Sequence, residues 1–292
     1  MERPAGIVDF EPSDEHFPFV SRWFESSVGP IHYVDEGSGR PLLLLHGNPD
    51  WSFLYRKIII GLRDRFRCVA LDYPGFGLSI HPVSYGYSAE EHAGIVNELV
   101  EHLNLRDMIV MGQDWGGPIG MDVASRSPER VAGLVMGNTW FWPARDRLMK
   151  SFSLLMSSPP VQSLIKNRNL FVSPVMKLTL RTKLSKVEFD HYRAVVPTPQ
   201  SRTGIAEFPI QIRKAKKWLD ALQQRVQSTL EEKPMLLIWG MKDPAFGRGE
   251  VIARWQKTFP DSTLVVLEDA GHYIQEDAPD AIIDAIANAY AP

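Results

Sequence analysis

The chain has 292 residues, 44% of them apolar, enough to build the core of one large domain or two smaller ones. Its 32 Lys and Arg against 35 Asp and Glu leave a net charge of −3, so a nucleic-acid partner finds no basic footprint. One cysteine, Cys68, excludes an internal disulfide, and the lack of a leader or of an apolar run near the ~18 residues of a span predicts a soluble, cytoplasmic protein with no membrane partner.

In chain order, "RWFESSVGPIHYVDEG" alternates and turns at Gly29-Pro30, which predicts an antiparallel hairpin on a sheet edge. Near-continuous apolar runs follow at 41–47, 67–72, 107–113 and 131–138, the pattern of strands covered on both faces. Cys68 falls in the second of these runs and reads as core packing. A helical period at 88–103 lies between two of the runs, so the alternation is βαβ and the sheet parallel with right-handed crossovers. From Thr139 to Glu232 no buried strand is legible. Helix-like pieces there are interrupted by "SSPP", "VVPTPQ" and "EFPIQI", where proline is expected to end a helix. "PMLLIWG", an amphipathic stretch to Phe259, "STLVVLED" and a closing helix over 278–289 then restore the alternation. The division predicted is an α/β core over 1–138 and 233–292, interrupted by a helical cap over 139–232. No internal repeat, low-complexity tract or phosphate-cradling loop is present.

The segment "VMGQDWGGPIG" follows a predicted strand and precedes a helix, with Gly112, Asp114 and Gly116 at the spacing of a nucleophile elbow and Gly117 adding room. A carboxylate stands where that turn commonly carries a serine. In this fold the acid and the histidine come later in the chain, each beyond a strand. Asp243 in "WGMKDPAF" and His272 in "AGHYIQED" meet that order. His16 lies in the N-terminal arm, and His92, His102 and His191 fall on helix-like polar faces, where solvation is expected. "LLLLHGNPDW" places a His-Gly pair directly after a strand. There the backbone N–H of Asn48 forms an oxyanion hole with that of Trp115, and His46 braces the loop.

Together with "IHYVDEG", "LDYPGFGLS" and "NTWFW", these motifs resemble the haloalkane dehalogenase family of the α/β-hydrolase fold over nearly the whole chain. The resemblance implies a mostly parallel sheet with helices on both faces and a helical cap. It implies Asp114 as nucleophile, His272 as general base, Asp243 as the acid that orients it, and Asn48 with Trp115 as the halide-binding pair. Some members carry a glutamate where this chain has Asn138, which leaves the acid's place to Asp243. Others use a cap tryptophan as second halide donor, which makes Trp140 and Trp142 alternatives to Asn48.

The chemistry fits these residue types. A serine attacking a saturated carbon would leave an ether, whereas a carboxylate leaves an ester that activated water can cleave to an alcohol and a proton. Departing halide needs no proton, only dry neutral donors such as an indole or amide N–H. The partners implied are a small apolar halogenated substrate, a halide ion and water. Phe141, Phe152, Phe171, Phe208, Pro209 and Phe246 are the expected lining of an apolar pocket over Asp114. No metal-ligand cluster, dinucleotide fingerprint or flavin site is legible, so no cofactor and no metal are expected.

An epoxide hydrolase would use the same triad but a pair of phenols from the cap, where Tyr192 is the only tyrosine. A cofactor-free luciferase-like oxygenase would share much of the same pocket. A non-catalytic receptor of the same fold is the remaining alternative. "IRKAKKW" reads as a solvated helix face, and "LMKSFSLLM" suggests a homo-oligomer.

Overall fold

Leucine- and valine-rich runs form one eight-stranded sheet in the computed structural model, which describes residues 3–291. The strands are β1 (Arg22–Ser26), β2 (Gly29–Gly37), β3 (Pro41–Leu45), β4 (Arg67–Leu71), β5 (Met108–Asp114), β6 (Val131–Thr139), β7 (Met235–Gly240) and β8 (Thr263–Leu267). Their spatial order is β1-β2-β4-β3-β5-β6-β7-β8. β2 is antiparallel to both β1 and β4, and every other pairing is parallel. The hairpin turns at Ser27-Val28, two residues earlier than expected. Gly29 already pairs with Ser26 as the first residue of β2, where its φ of +113° suits a residue without a side chain.

β3 to β7 are almost wholly buried because helices cover them. α1 (Arg56–Leu62), α2 (Ala89–His102) and α3 (Gly116–Arg126) fill the crossovers of the first half, α2 starting at a capping box between Ser88 and Glu91. Two of the histidines expected in solvent, His92 and His191, are buried. The face of α2 carrying His92 also carries Ala89, Ala93, Val96 and Leu99, so the apolar stripe takes the imidazole inward. His191 stacks on Phe53 with ring centroids 4.6 Å apart.

Between β6 and β7 lie α4 (Arg147–Met156), α5 (Pro159–Arg168), α6 (Met176–Thr179), α7 (Lys186–Ala194), α8 (Thr203–Lys214) and α9 (Lys216–Thr229). Pro209 does not end a helix there but sits inside α8. It has no N–H to offer the carbonyl four residues back, so the Ile205 oxygen is left for another donor. α9 falls within the stretch read as cap, yet it buries Trp218, Leu219, Leu222 and Val226 and packs against α3. Trp218 Nε1 donates to Asp122 of α3 at 3.2 Å, and Arg225 pairs with the same carboxylate. α10 (Gly249–Thr258) precedes β8, and α11 (Ile274–Asp277) and α12 (Pro279–Tyr290) close the chain. No helix among the described residues is long and apolar enough to cross a membrane.

Candidate active site

β5 runs straight into Asp114, which adopts φ of +51°, and α3 begins two residues later. A residue with a side chain uncommonly holds that left-handed conformation, and it persists where its surroundings enforce it. They do so here by close packing: a Cβ on Gly112 would strike the Gly116 carbonyl, and one on Gly116 would strike that of Leu45. The turn lifts the Asp114 carboxylate off the strand end. The backbone N–H of Asn48 donates to Oδ1 at 3.1 Å, and that of Trp115 also donates to the carboxylate. Burial pushes the Asp114 carboxyl above its ordinary range, while the positive charge of His272 and the two N–H groups pull it down. The result is a partly desolvated carboxylate.

His272 lies beyond β8, its backbone N–H held by the Thr179 carbonyl at 3.2 Å. Nδ1 is 2.8 Å from Asp243 Oδ2, and Nε2 is 3.7 Å from Asp114 Oδ2. The three groups predicted from strand ends therefore converge. Burial alone would lower the His272 pKa, but Asp243 and then Asp114 raise it to about 9. The Asp243 carboxyl is held below its usual range: burial would raise it, and it is outweighed by His272, the Asn138 amide and the Ala245 N–H.

Sequence reasoning missed Asn138, noting only that it is not an acid. Its Nδ2 donates to Asp243 Oδ2 at 2.8 Å and to the Gly240 carbonyl at 2.9 Å, and its Oδ1 accepts from the Gly240 N–H at 2.7 Å. It braces the acid. Gln113, also missed, donates from Nε2 to the His272 carbonyl at 3.0 Å and lies 3.2 Å from His272 Nε2. The signal available for both was position: Gln113 directly precedes Asp114 at the end of β5, and Asn138 is at the end of β6, the strand between β5 and β7. A third missed residue is Asp50, fully buried with neither carboxylate oxygen bonded. Burial and the nearby Asp114 and Glu276 push it well above the usual carboxylate range, although His272 opposes this. His46 bears out the bracing role, accepting the Tyr73 N–H at 3.2 Å and lying 2.8 Å from the Gly47 carbonyl through Nδ1. Burial drops its pKa to about 4.

A cavity of about 330 Å³ opens over Asp114 and His272. Phe152, Phe171, Pro209 and Phe246 line it as expected, and Asn48 and Trp115 are in its wall. Phe141 and Phe208 are not. Phe141 packs behind the wall against Trp142 and Trp255, and Phe208 stacks flat on the Trp115 ring at 5.0 Å. Both rings are drawn into the core by aromatic partners that the sequence order does not reveal. Of the two further tryptophans, Trp140 lines the cavity and its buried Nε1 has no partner, whereas Trp142 lies under Arg254, outside it. Asn48 Nδ2 donates to the Ile205 oxygen at 3.2 Å, the carbonyl that Pro209 leaves open. Tyr192 is turned away from the cavity and donates to buried Glu276 at 2.6 Å, so no phenol of the cap faces Asp114.

Residues 40–279 match the family model of the alpha/beta hydrolase fold. Haloalkane dehalogenase 2 of Mycobacterium tuberculosis is 56% identical over 279 residues, covering 96% of this chain and 98% of its own. A cis-3-alkyl-4-alkyloxetan-2-one decarboxylase of Shewanella oneidensis is 29% identical, over 94% of this chain and 89% of its own. The crystal structure of a haloalkane dehalogenase from Bradyrhizobium elkani is similar with a TM-score of 0.83 at 26% identity, over 92% of this chain and 97% of its own.

Proposed function

Because the chain belongs to the haloalkane dehalogenases and is a hydrolase acting on carbon–halide bonds, we propose that Asp114 displaces halide from the alkyl carbon and forms an alkyl ester. The observation that carries this reading is the orientation of one carboxylate. Oδ1 accepts the Asn48 N–H, Oδ2 lies 3.7 Å from His272 Nε2, and Asp114 lines the cavity. Oδ2 attacks in line with the carbon–halogen bond, and the halide leaves toward the indole of Trp115 and the amide of Asn48. Trp140, with its unbonded Nε1 in the same wall, is a third donor to the leaving ion.

Alkylation removes the negative charge of Asp114, which with Asp243 helps to hold His272 protonated. With that charge gone the pKa of His272 falls, so the imidazolium gives its proton to solvent and the free imidazole is available as a base when one is needed. It takes a proton from water, which attacks the ester carbonyl carbon. Oδ1 becomes the oxyanion between the Asn48 and Trp115 N–H groups, a stabilisation typically worth ~3 kcal/mol per donor. Asp243 keeps the imidazole in the tautomer with Nδ1 protonated and steadies the imidazolium. Collapse breaks the bond between the carbonyl carbon and the alkyl-bearing oxygen, which takes the proton from the imidazolium and leaves as the alcohol, and Asp114 sheds the proton left on it to solvent to become a carboxylate again.

The unshared position of α9 supports a cap of 139–214 with α9 counted in the core. A single buried thiol with no second cysteine to pair with supports placement in the cytoplasm.

One turnover in H₂¹⁸O with enzyme in excess over 1-bromobutane tests the mechanism. The alcohol carries ¹⁶O from Asp114, and the label enters the Asp114 carboxylate, read by peptide mass. Labelled alcohol with unlabelled Asp114 means direct attack by water and overturns the ester route.

A further inference from the structure

The net charge of −3 conceals a division within the chain. Residues 139–215 carry thirteen Lys and Arg against four Asp and Glu, a surplus of nine positive charges, while the remainder carries nineteen against thirty-one. Exposed apolar side chains divide the same way. Leu148, Phe152, Leu154 and Leu155 on α4, Leu164 on α5 and Leu178 beside Lys177 on α6 are all cap residues. Among the described residues, the large apolar side chains that the core exposes are Val20, Ile60, Val83 and Val266, on separate elements and loops.

α4 concentrates the exposed apolar side chains and carries two of the thirteen cations, Arg147 and Lys150. Only Ser153 of its ten residues is buried, and Leu154 and Leu155 are 62% and 57% exposed. Leu148, Phe152 and Leu155 follow one another at helical spacing on one face, with exposed Arg147 and Lys150 flanking them. Leu148 and Phe152 are at once exposed and part of the cavity wall, so this face borders the cavity's opening.

We propose that this face of the cap docks on an anionic lipid bilayer, with α4 lying in the headgroup region and the cavity opening onto the membrane. An amphipathic helix with leucine and phenylalanine on one side and basic residues flanking it has the composition of an interfacial element, and anionic lipid complements a surplus of nine positive charges. A second copy of the chain fits less well. Two caps face to face would oppose like charges, and among the described residues the acidic core exposes its large apolar side chains only singly, with no cluster to receive the leucines. Apolar haloalkanes concentrate in a bilayer, so docking would feed the cavity from the phase that holds its substrate. That benefit rests on the function proposed above; the docking does not.

The test is flotation of the full chain with phosphatidylcholine vesicles, either plain or with roughly one-third phosphatidylglycerol, at low and high salt. At low salt the bound fraction is at least about tenfold greater on the anionic vesicles, and high salt releases the protein. The double variant Leu154→Gln/Leu155→Gln, outside the cavity wall, loses about tenfold in binding and keeps its rate on a water-soluble haloalkane. Arg147→Glu/Lys150→Glu loses binding to a similar extent and provides a second route should the glutamine variant fail to fold. Equal binding to both vesicles, binding to neither, or undiminished binding by both variants overturns the proposal. So does concentration-dependent self-association that the double leucine variant abolishes, since the face would then belong to an interface between copies. Dead enzyme with intact vesicle binding would count against the dehalogenase mechanism and leave the docking standing.

Discussion

At the ends of β5, β7 and β8 three titratable groups converge on one cavity, whereas the cap that closes it contributes no charged side chain to the wall despite its surplus of basic residues. A cation beside Asp114 would pair with the proposed nucleophile and hold the departing halide. The cap instead offers apolar surface, and it places neutral donors indirectly. Phe208 stacks on Trp115, and the Ile205 carbonyl holds the Asn48 amide, both from α8. The sheet side supplies reactivity, and the cap side supplies dryness and aim.

The sharpest break in that comparison is His272→Phe. Displacement needs only Asp114 and the halide donors, so this variant should release about one equivalent of bromide per site from 1-bromobutane and then stop. Its mass should rise by one butyl group, mapped to Asp114. Continued turnover would remove the base from its assigned place.

Next in size, Asn48→Ala and Trp115→Phe should each slow bromide release about 100-fold, because each removes one neutral donor to developing charge. A near-normal rate in Asn48→Ala would move the second donor to Trp140, whose indole N–H is already unbonded in the wall.

Asn138→Asp probes a contact that the amino-acid order does not announce. It sets a carboxyl 2.8 Å from Asp243 in a buried site, where two carboxylates resist joint ionisation. Ester hydrolysis should slow about tenfold at neutral pH, with halide release in the first turnover much less affected. Burst kinetics separate the two steps, and equal slowing of both would contradict a role confined to the acid.

Pro209→Ala tests the cap's indirect influence. The restored N–H can return to the Ile205 carbonyl and compete with the Asn48 amide, so halide affinity, read by quenching of tryptophan fluorescence, should weaken roughly threefold with the triad untouched. Unchanged affinity would mean that α8 does not aim Asn48.

The smallest effect is on stability. His272 is held protonated up to about 9, above its ordinary 6.5, so the imidazolium contributes stability in full below about pH 6.5 and loses it as pH rises through about 9. His272→Phe should flatten the melting temperature over that window relative to the parent chain. An unaltered slope would assign the pH dependence to other groups.

Much of this was legible along the chain. Strand positions, the elbow, the order of Asp114, Asp243 and His272, and four of six pocket residues follow from local patterns, because a parallel sheet repeats one strand-turn-helix unit and delivers strand ends to one edge. What local pattern could not reach were side chains whose partners are distant in sequence. Asn138 meets Asp243 across 105 positions, and Asn48 meets Ile205 across 157. Phe141 and Phe208 have the composition of pocket residues, but tertiary stacking turned them into the core, and Pro209 stayed within its helix because Asn48 could satisfy the carbonyl it freed. By itself the sequence determined which groups reach the cavity from the sheet, since backbone periodicity and strained turns are properties of a few neighbouring residues. Only the tertiary structure decided how those groups are braced, which aromatic rings form the wall, and that the exposed leucines of α4, flanked by Arg147 and Lys150, border the cavity's mouth, since contacts between remote segments depend on packing that no local pattern encodes.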